Sequence, residues 1–301
     1  IPDQNFEQAL INLGHDDLID GRVLTANITG LTYLDVSNNT QEGIVDLTGI
    51  EDFSSLKTLQ CQGQTALNTL NVSQNIHLEK LECHNDSYGN SALSSLDLSN
   101  NLALNHLRCR GNQLTALDVT NNTNLTFLDC SNRYGGGNAI QTLDLSQNTL
   151  LTYLDFEGNQ INNIDLSNNV ALTSLWCKGN QLTSLDVSSN VNLTFLNCPE
   201  NQLTNLDVSN NTSLGNLRCF NNPLSCIQVW DLSYAEEREN NTCWVWSPND
   251  KCFWKDNSAV WSLDCPSQAN TNPIFTSTPI ISGSIGLPYS YSIVATDTDG
   301  D

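Results

Sequence analysis

Residues 151–213 contain three consecutive units of 21 residues, which read LTYLDFEGNQINNIDLSNNVA (151–171), LTSLWCKGNQLTSLDVSSNVN (172–192) and LTFLNCPENQLTNLDVSNNTS (193–213). The first half of each unit, L-x-x-L-x-C-x-x-N-x-L, has varied x positions, whereas the second half, T-x-L-D-V-S-x-N-x-x-L, is nearly constant. Such units bury their apolar residues against their neighbours, so the repeat predicts that much of the 301-residue chain forms one solenoid.

Both halves of the unit alternate buried and exposed residues, in L-x-C and in L-D-V, which is the period of a β-strand. Stacked coils would pair these short strands in parallel. An asparagine follows each varied strand and can bond the free backbone groups where the chain bends. The sequence therefore predicts an asparagine ladder formed by Asn112, Asn159, Asn180, Asn201 and Asn222.

The repeat resembles the 21-residue nested repeat of bacterial leucine-rich-repeat proteins over about Leu31 to Leu224. The early stretch LTYLDVSNNTQEGIVDLTGIEDFSSLKTLQC (31–61) is similar to an internalin-type repeat, in which L-D-V and L-Q-C lie on the concave sheet. The resemblance implies a mostly β leucine-rich-repeat solenoid. It places the cysteine-containing half on a concave parallel sheet and short strands or extended segments on the convex side.

The two ends of the repeat region differ in composition from the repeats. Residues 1–30 predict an N-terminal helical cap, begun by Asp3 and ended by Gly14, with one apolar face made of Phe6, Ala9, Leu10 and Leu13. Leucine-rich repeats are expected over 31–223 and a disulfide-bonded C-terminal cap over 224–265. Residues 266–301 form a polar linker and then resemble the start of an immunoglobulin-like or cadherin-like domain, so we expect the native chain to continue.

The eleven cysteines fall into two groups. Seven occupy one position of the repeat, where Phe156 fills the single gap, so this position needs apolar volume: Cys61, Cys83, Cys109, Cys130, Cys177, Cys198 and Cys219. The other four have no histidine nearby to complete a zinc site and predict two disulfides. Nested pairing, Cys226 with Cys265 and Cys243 with Cys252, is the simplest of three connectivities, among which the sequence does not choose.

The exposed positions of the varied halves are the candidate ligand-binding surface. Their aromatic residues are Phe127, Tyr153, Trp176 and Phe195, with Phe220 just beyond a strand. Seven of the eleven basic residues also lie in varied halves, among them Arg108, Arg110, Lys178 and Arg218. Such a face can meet carboxylate or sulfate groups on a protein or a glycan. The alternative is that these cations only offset Asp129, Asp155 and Glu157.

Two insertions, HNDSYGNSA after Cys83 and SNRYGGGNA after Cys130, lengthen the exits from varied strands. Loops on a rigid scaffold often carry recognition, so Tyr88, Arg133 and Tyr134 are further candidate contacts. The alternative is that the insertions are tolerated surface loops.

The constant halves stack a column of carboxylates, Asp97, Asp118, Asp144, Asp165, Asp186 and Asp207. We expect the following Ser or Thr hydroxyls and backbone N–H groups to bond them, with calcium as the alternative. The terminal DTDGD, with Asp297, Asp299 and Asp301, is a second candidate calcium site. Otherwise no cofactor is expected.

The net charge of −22 disfavours nucleic acid, and the sequence contains no catalytic motif and no apolar stretch long enough to span a bilayer. Disulfides, together with a start at Ile1 and the absence of Met, predict a processed, secreted or cell-surface protein. The expected function is a non-enzymatic binding or adhesion module for an extracellular protein or polysaccharide. The alternatives are an accessory domain of a larger secreted enzyme and ice binding through regular threonines, among them Thr126, Thr152, Thr173 and Thr194.

Overall fold

The computed structural model describes residues 1–37, 43–85, 93–132, 137–239 and 252–265, and the backbone of 274–275 and 295–296. The chain coils into a solenoid that is mostly β, with parallel strands and few helices, which confirms the predicted fold class.

A ten-stranded parallel sheet forms one side of the solenoid, which we call the concave sheet. Its strands are β1 (Tyr33–Asp35), β2 (Thr58–Gln60), β3 (Lys80–Glu82), β4 (His106–Arg108), β5 (Phe127–Asp129), β6 (Tyr153–Asp155), β7 (Ser174–Trp176), β8 (Phe195–Asn197), β10 (Asn216–Arg218) and β12 (Cys252–Trp254). All except β12 come from the varied halves, and adjacent strands pair without any shift of register.

The opposite, convex side carries a three-stranded parallel sheet at its C-terminal end, made of β9 (Asn205–Asp207), β11 (Cys226–Gln228) and β13 (Val260–Ser262). In the earlier described coils, the constant halves are extended segments without assigned strands. This agrees with the predicted mixture of short strands and extended segments.

The interior is built from columns of equivalent side chains, one per coil. The middle residue of each concave strand is a buried leucine, from Leu34 to Leu217, and Phe253 takes this place in β12. The seven repeat cysteines are free and buried, and Phe156 is fully buried in the same column. The prediction that this column needs apolar volume is therefore confirmed.

Two asparagine ladders form hydrogen bonds with backbone groups where the coils bend. In the predicted ladder, Asn180 Nδ2 donates to the carbonyls of Phe156 and Cys177 at 3.0 and 3.1 Å, and Asn180 Oδ1 accepts from Ile161 N at 3.1 Å. A second ladder, not predicted, lies where the constant half ends and consists of Asn75, Asn101, Asn122, Asn148, Asn169, Asn190 and Asn211. There the amide nitrogen bonds two carbonyls, and the buried Oδ1 has no hydrogen-bond partner.

The N-terminal cap is helix α1 (Gln4–Asn12), followed by the short helix α2 (Thr25–Ile28). Asp3 begins α1 as predicted, because its Oδ1 accepts from the backbone N–H groups of Asn5 and Phe6. Its Oδ2 accepts from Val45 N at 2.7 Å and Asp46 N at 2.9 Å, which ties the cap to the first coil. Placing Leu13 on the buried face was wrong: it lies at the helix end and is 40% exposed. A short 3-10 helix (Ile50–Asp52) precedes β2.

The C-terminal segment continues the solenoid as well as closing it. After helix α3 (Leu232–Glu239), β12 pairs with β10 on the concave sheet, and β13 pairs with β11 on the convex side. The predicted Cys226–Cys265 disulfide is present. Cys252 is also disulfide-bonded, while its predicted partner Cys243 lies outside the described residues.

Beyond residue 265, the structure describes only β14 (Ile274–Phe275), which pairs antiparallel with β15 (Ala295–Thr296). The rest of the expected immunoglobulin-like or cadherin-like segment, including Asp297, Asp299 and Asp301, lies outside the described residues.

Candidate binding surface on the concave sheet

The concave sheet turns the first and third residues of each strand away from the leucine core. We call these positions the first column and the third column. The first column runs through Lys80, His106, Phe127, Tyr153, Ser174 and Phe195, and the third column runs through Glu82, Arg108, Asp129, Asp155, Trp176 and Asn197. Because strands in a sheet are only about 4.8 Å apart, side chains in one column touch each other.

An aromatic ladder occupies strands β4 to β6. The rings of His106 and Phe127 stack with centroids 4.2 Å apart and 8° between planes, and Phe127 stacks on Tyr153 at 4.4 Å and 5°. Rings that stack face to face in this way cover each other's faces. They therefore turn mainly their edges to solvent.

The predicted aromatic stripe is divided into separate groups. Ser174 follows Tyr153 in the first column. Trp176 instead belongs to the third column, and its ring stacks on Phe195 of the first column at 4.3 Å. Phe127, Tyr153 and Trp176 are half-buried, whereas Phe195 is only 5% exposed. The sequence pattern did not show this division, because both columns belong to the same varied half.

A further aromatic pair lies at the C-terminal end of the sheet. Phe220 packs against Trp254 with ring centroids 4.3 Å apart and the planes tilted by 33°, and Trp254 is 48% exposed. Trp254 is not among the predicted residues, because it belongs to the segment that was expected to form the C-terminal cap. Only its pairing with β10 puts it on the concave sheet.

The basic residues of the central strands form an ion-pair network with two carboxylates. Glu82 Oε1 lies 2.9 Å from Lys80 Nζ, 3.3 Å from His106 Nε2 and 3.6 Å from an Arg108 nitrogen. Asp129 Oδ2 lies 3.5 Å from Arg108 Nε and 3.0 Å from an Arg110 nitrogen. Arg108 and Arg110 therefore both contact Asp129.

Burial and neighbouring charges shift the pKa values of Glu82 and His106 in this network. Burial acts to raise the pKa of Glu82, but the hydrogen bond from Lys80 and the nearby cations outweigh it and hold that pKa below its ordinary value. Burial and the charge of Lys80 lower the pKa of His106, against the opposing influence of Glu82. His106 is therefore neutral at pH 7. Neither His106 nor Glu82 is among the residues predicted from the sequence.

The remaining predicted residues are less accessible or lie elsewhere. Lys178 pairs with Glu200 at 3.2 Å beyond the end of β7. Arg218 is only 6% exposed and lies over the Phe195 ring at 5.7 Å. The loop candidates Tyr88, Arg133 and Tyr134 lie outside the described residues.

The aspartates of the constant halves accept hydrogen bonds from residues close to them in the sequence. Thr120 donates to Asp118 Oδ1 from its backbone N–H at 2.9 Å and from its hydroxyl at 2.7 Å. These bonds lower the pKa of Asp118, and bonds from the following serine lower the pKa of Asp97, Asp144, Asp165 and Asp186. No cluster of three or more potential metal-ligating side chains occurs among the described residues.

The regular threonines also bond within the chain. Thr152 Oγ1 donates to the carbonyl of Thr126 at 3.0 Å, Thr173 to that of Thr152 at 3.0 Å, and Thr194 to that of Thr173 at 3.0 Å. The regular spacing of these threonines along the solenoid therefore has a structural cause.

Within the part of the chain described, no helix has the length and apolar character needed to cross a membrane.

Several solved structures are similar to this chain. The functional domain of InlJ from Listeria monocytogenes, which includes a cysteine ladder, matches with a TM-score of 0.55 and 30% identity, covering 76% of this chain and 55% of that one. Internalin C2 from Listeria monocytogenes matches with a TM-score of 0.55 and 22% identity, covering 76% and 93%.

A third match is the leucine-rich-repeat ectodomain of a plant membrane receptor kinase from Arabidopsis thaliana, in complex with Casparian strip integrity factor 2. Its TM-score is 0.51 at 18% identity, covering 64% of this chain and 24% of that one. No protein-family model and no curated protein matches the chain. The chain spans just over half of the InlJ domain, and the matches together with the cysteine column show that it has an internalin-like leucine-rich-repeat fold.

Proposed function

We propose that this chain is a non-enzymatic, extracellular module that binds a protein partner through strands β4 to β7 of its concave sheet. The observation that carries the proposal is the accessible patch formed by His106, Arg108, Phe127, Tyr153 and Trp176. Aromatic residues and arginine contribute most to protein interfaces, and here a rigid parallel sheet holds them in place.

The ring geometry favours a protein over a glycan on this patch. Sugars stack on the open faces of aromatic rings, whereas the stacking of His106, Phe127 and Tyr153 covers both faces of Phe127 and one face of each of the other two rings. Ring edges carry partial positive charge and suit backbone carbonyls and side-chain oxygens of a protein. The plant receptor ectodomain in complex with its peptide shows that the shared fold can hold a protein ligand.

Glycan recognition is the second candidate function, and Trp254 favours it. This ring is 48% exposed and lies on the last described strand of the concave sheet. Among the ring contacts of the described residues, Trp254 contacts only Phe220, which covers one face of the Trp254 ring.

The experiment that tests the proposal is binding of the purified chain to an array of extracellular proteins and polysaccharides. The wild type is compared with the Tyr153→Ala/Trp176→Ala and Trp254→Ala variants. We expect a protein ligand whose binding is lost in the double variant and kept in Trp254→Ala. A polysaccharide ligand lost only in Trp254→Ala would replace the proposal with the second candidate.

A further inference from the structure

The cations and carboxylates of the central concave strands lie at different depths. The side chains of the cations Lys80, Arg108 and Arg110 are 35, 27 and 17% exposed. The three carboxylates of the third column on β3 to β6 are almost fully covered: Glu82 is 6%, Asp129 1% and Asp155 0% exposed. Solvent therefore meets positive side chains that rest on buried negative ones.

This layering places positive groups outermost at one site of a strongly acidic chain. The net charge is −22, yet a partner that approaches β3 and β4 meets Lys80, Arg108 and Arg110 first. Repulsion from distant carboxylates is screened beyond a Debye length of about 8 Å at physiological salt. The outermost charged groups, which are these three cations, therefore govern contacts at this surface.

The neighbouring rings present a compatible surface. Arg108 Cζ lies 5.0 Å from the Phe127 ring centroid, so the guanidinium and the aromatic ladder form one continuous surface. Cations attract carboxylates, and the edges of the stacked rings also attract oxygen atoms. Both components of the patch favour the same ligand chemistry.

We propose that the partner presents an acidic segment, in which Asp or Glu side chains lie beside an apolar or aromatic residue, to Lys80, Arg108 and the His106–Phe127–Tyr153 ladder. This inference rests on the proposed protein-binding function and names the chemistry of the partner. Carboxylates pair with the exposed cations, and the adjacent apolar residue packs on the ring edges. The buried Glu82 and Asp129 hold the cations in place beneath the ligand.

The test uses random copolymers of Glu and Tyr, and of Lys and Tyr, with heparin as the sulfated-glycan probe. We expect the chain to bind the Glu–Tyr copolymer, not the Lys–Tyr copolymer, with affinity that falls as NaCl is added. Lys80→Gln and Arg108→Gln should each weaken binding about tenfold. Each carboxylate keeps a cation in these variants, because Lys80 or Arg108 remains near Glu82 and Arg110 remains near Asp129.

The matched control is Lys57→Gln, which removes the same charge from a lysine that lies before β2 and pairs with Glu79 at 2.8 Å. It should leave the affinity unchanged. Absence of Glu–Tyr binding, preference for the Lys–Tyr copolymer, preference for heparin, or equal effects of Lys57→Gln and Arg108→Gln would each overturn the inference. A protein ligand lost in Tyr153→Ala/Trp176→Ala but unaffected by Lys80→Gln and Arg108→Gln would overturn it and leave the proposed function standing.

Discussion

The first column of the concave sheet changes from lysine to histidine, phenylalanine, tyrosine and serine within five strands, whereas the convex side repeats aspartate from Asp97 to Asp207. The two sides nevertheless share one interior of leucine columns and asparagine ladders. Burial therefore does not explain why one exterior varies and the other repeats. The difference supports our proposal that the varied half is the binding surface and that the constant half serves as scaffold.

The asparagine ladders provide the largest test of this comparison. Asn180→Ala leaves the buried Ile161 N–H without its partner and removes one of the two bonds to each of the Phe156 and Cys177 carbonyls. Asn169→Ala removes one of the two bonds to each of the Leu145 and Asn148 carbonyls and leaves no N–H group unpaired. We expect a loss of roughly 3 kcal/mol for Asn180→Ala and roughly 1 kcal/mol for Asn169→Ala, since a buried unpaired group costs more than a lost second bond. Urea unfolding with hydrogen exchange at the altered coil measures both, and equal losses would contradict the distinction.

Polar substitutions in the interior columns should lower the free energy of unfolding by similar amounts on the concave and the convex side. Cys177→Ser and Val187→Thr each place a hydroxyl in a fully buried position of the same coil. We expect each to lower the free energy of unfolding by about 2 kcal/mol, with Cys177→Ala costing less. Thermal melting provides the measurement. A Cys177→Ser variant as stable as Cys177→Ala would show that the cysteine column is not an apolar slot.

The aspartate column should contribute stability in a pH-dependent way. Bonds from Ser167 lower the pKa of Asp165 in the folded chain, so its contribution is present above the unfolded pKa of about 4 and is lost as pH falls through the lower folded value. Asp165→Asn should therefore be less stable than the wild type at pH 7 and equal to it at pH 2. Urea midpoints at the two pH values test this, and a difference that persists at pH 2 would refute it.

The smallest expected effect concerns the turn after the varied strands. Gly111, Gly158 and Gly179 adopt positive φ there, and in the next coil Glu200 does so at φ 56°. Glu200→Gly should raise the free energy of unfolding by about 0.5 kcal/mol, because a residue with Cβ is strained in this conformation. Glu200→Ala is the control, since it removes the ion pair with Lys178 but keeps the strain. A gain in Glu200→Ala as large as in Glu200→Gly would assign the effect to the charge.

Most of the fold could be predicted from the repeat. The L-x-x-L-x-C and L-D-V patterns gave the coils, the cysteine column and the asparagine ladder that ends at Asn222, since each is a local consequence of the period. The second ladder was equally periodic, from Asn75 to Asn211, but its signal was interpreted as part of a constant scaffold. The cap strand β12 could not be found because its sequence departs from the repeat.

The candidate surface was less predictable, because its chemistry depends on which column and depth each residue occupies. Phe195 and Arg218 fit the pattern of exposed positions, yet both are nearly covered. The repeat places His106 at an exposed position of a varied strand, and only the structure shows that it stacks on Phe127 and contacts Glu82. Such placements depend on contacts between successive coils, which a single repeat unit does not contain.

The most direct test of the central claim compares paired substitutions on opposite sides of the same two coils. Tyr153→Ala/Trp176→Ala alters the concave sheet, and Asn163→Ala/Ser184→Ala alters exposed convex positions. The dissociation constant of the protein ligand found on the array is measured for both variants and for the wild type. We predict a rise of at least about 30-fold for the concave pair and no change for the convex pair. An equal rise for both, or a rise for the convex pair alone, would contradict the assignment of binding to the varied half.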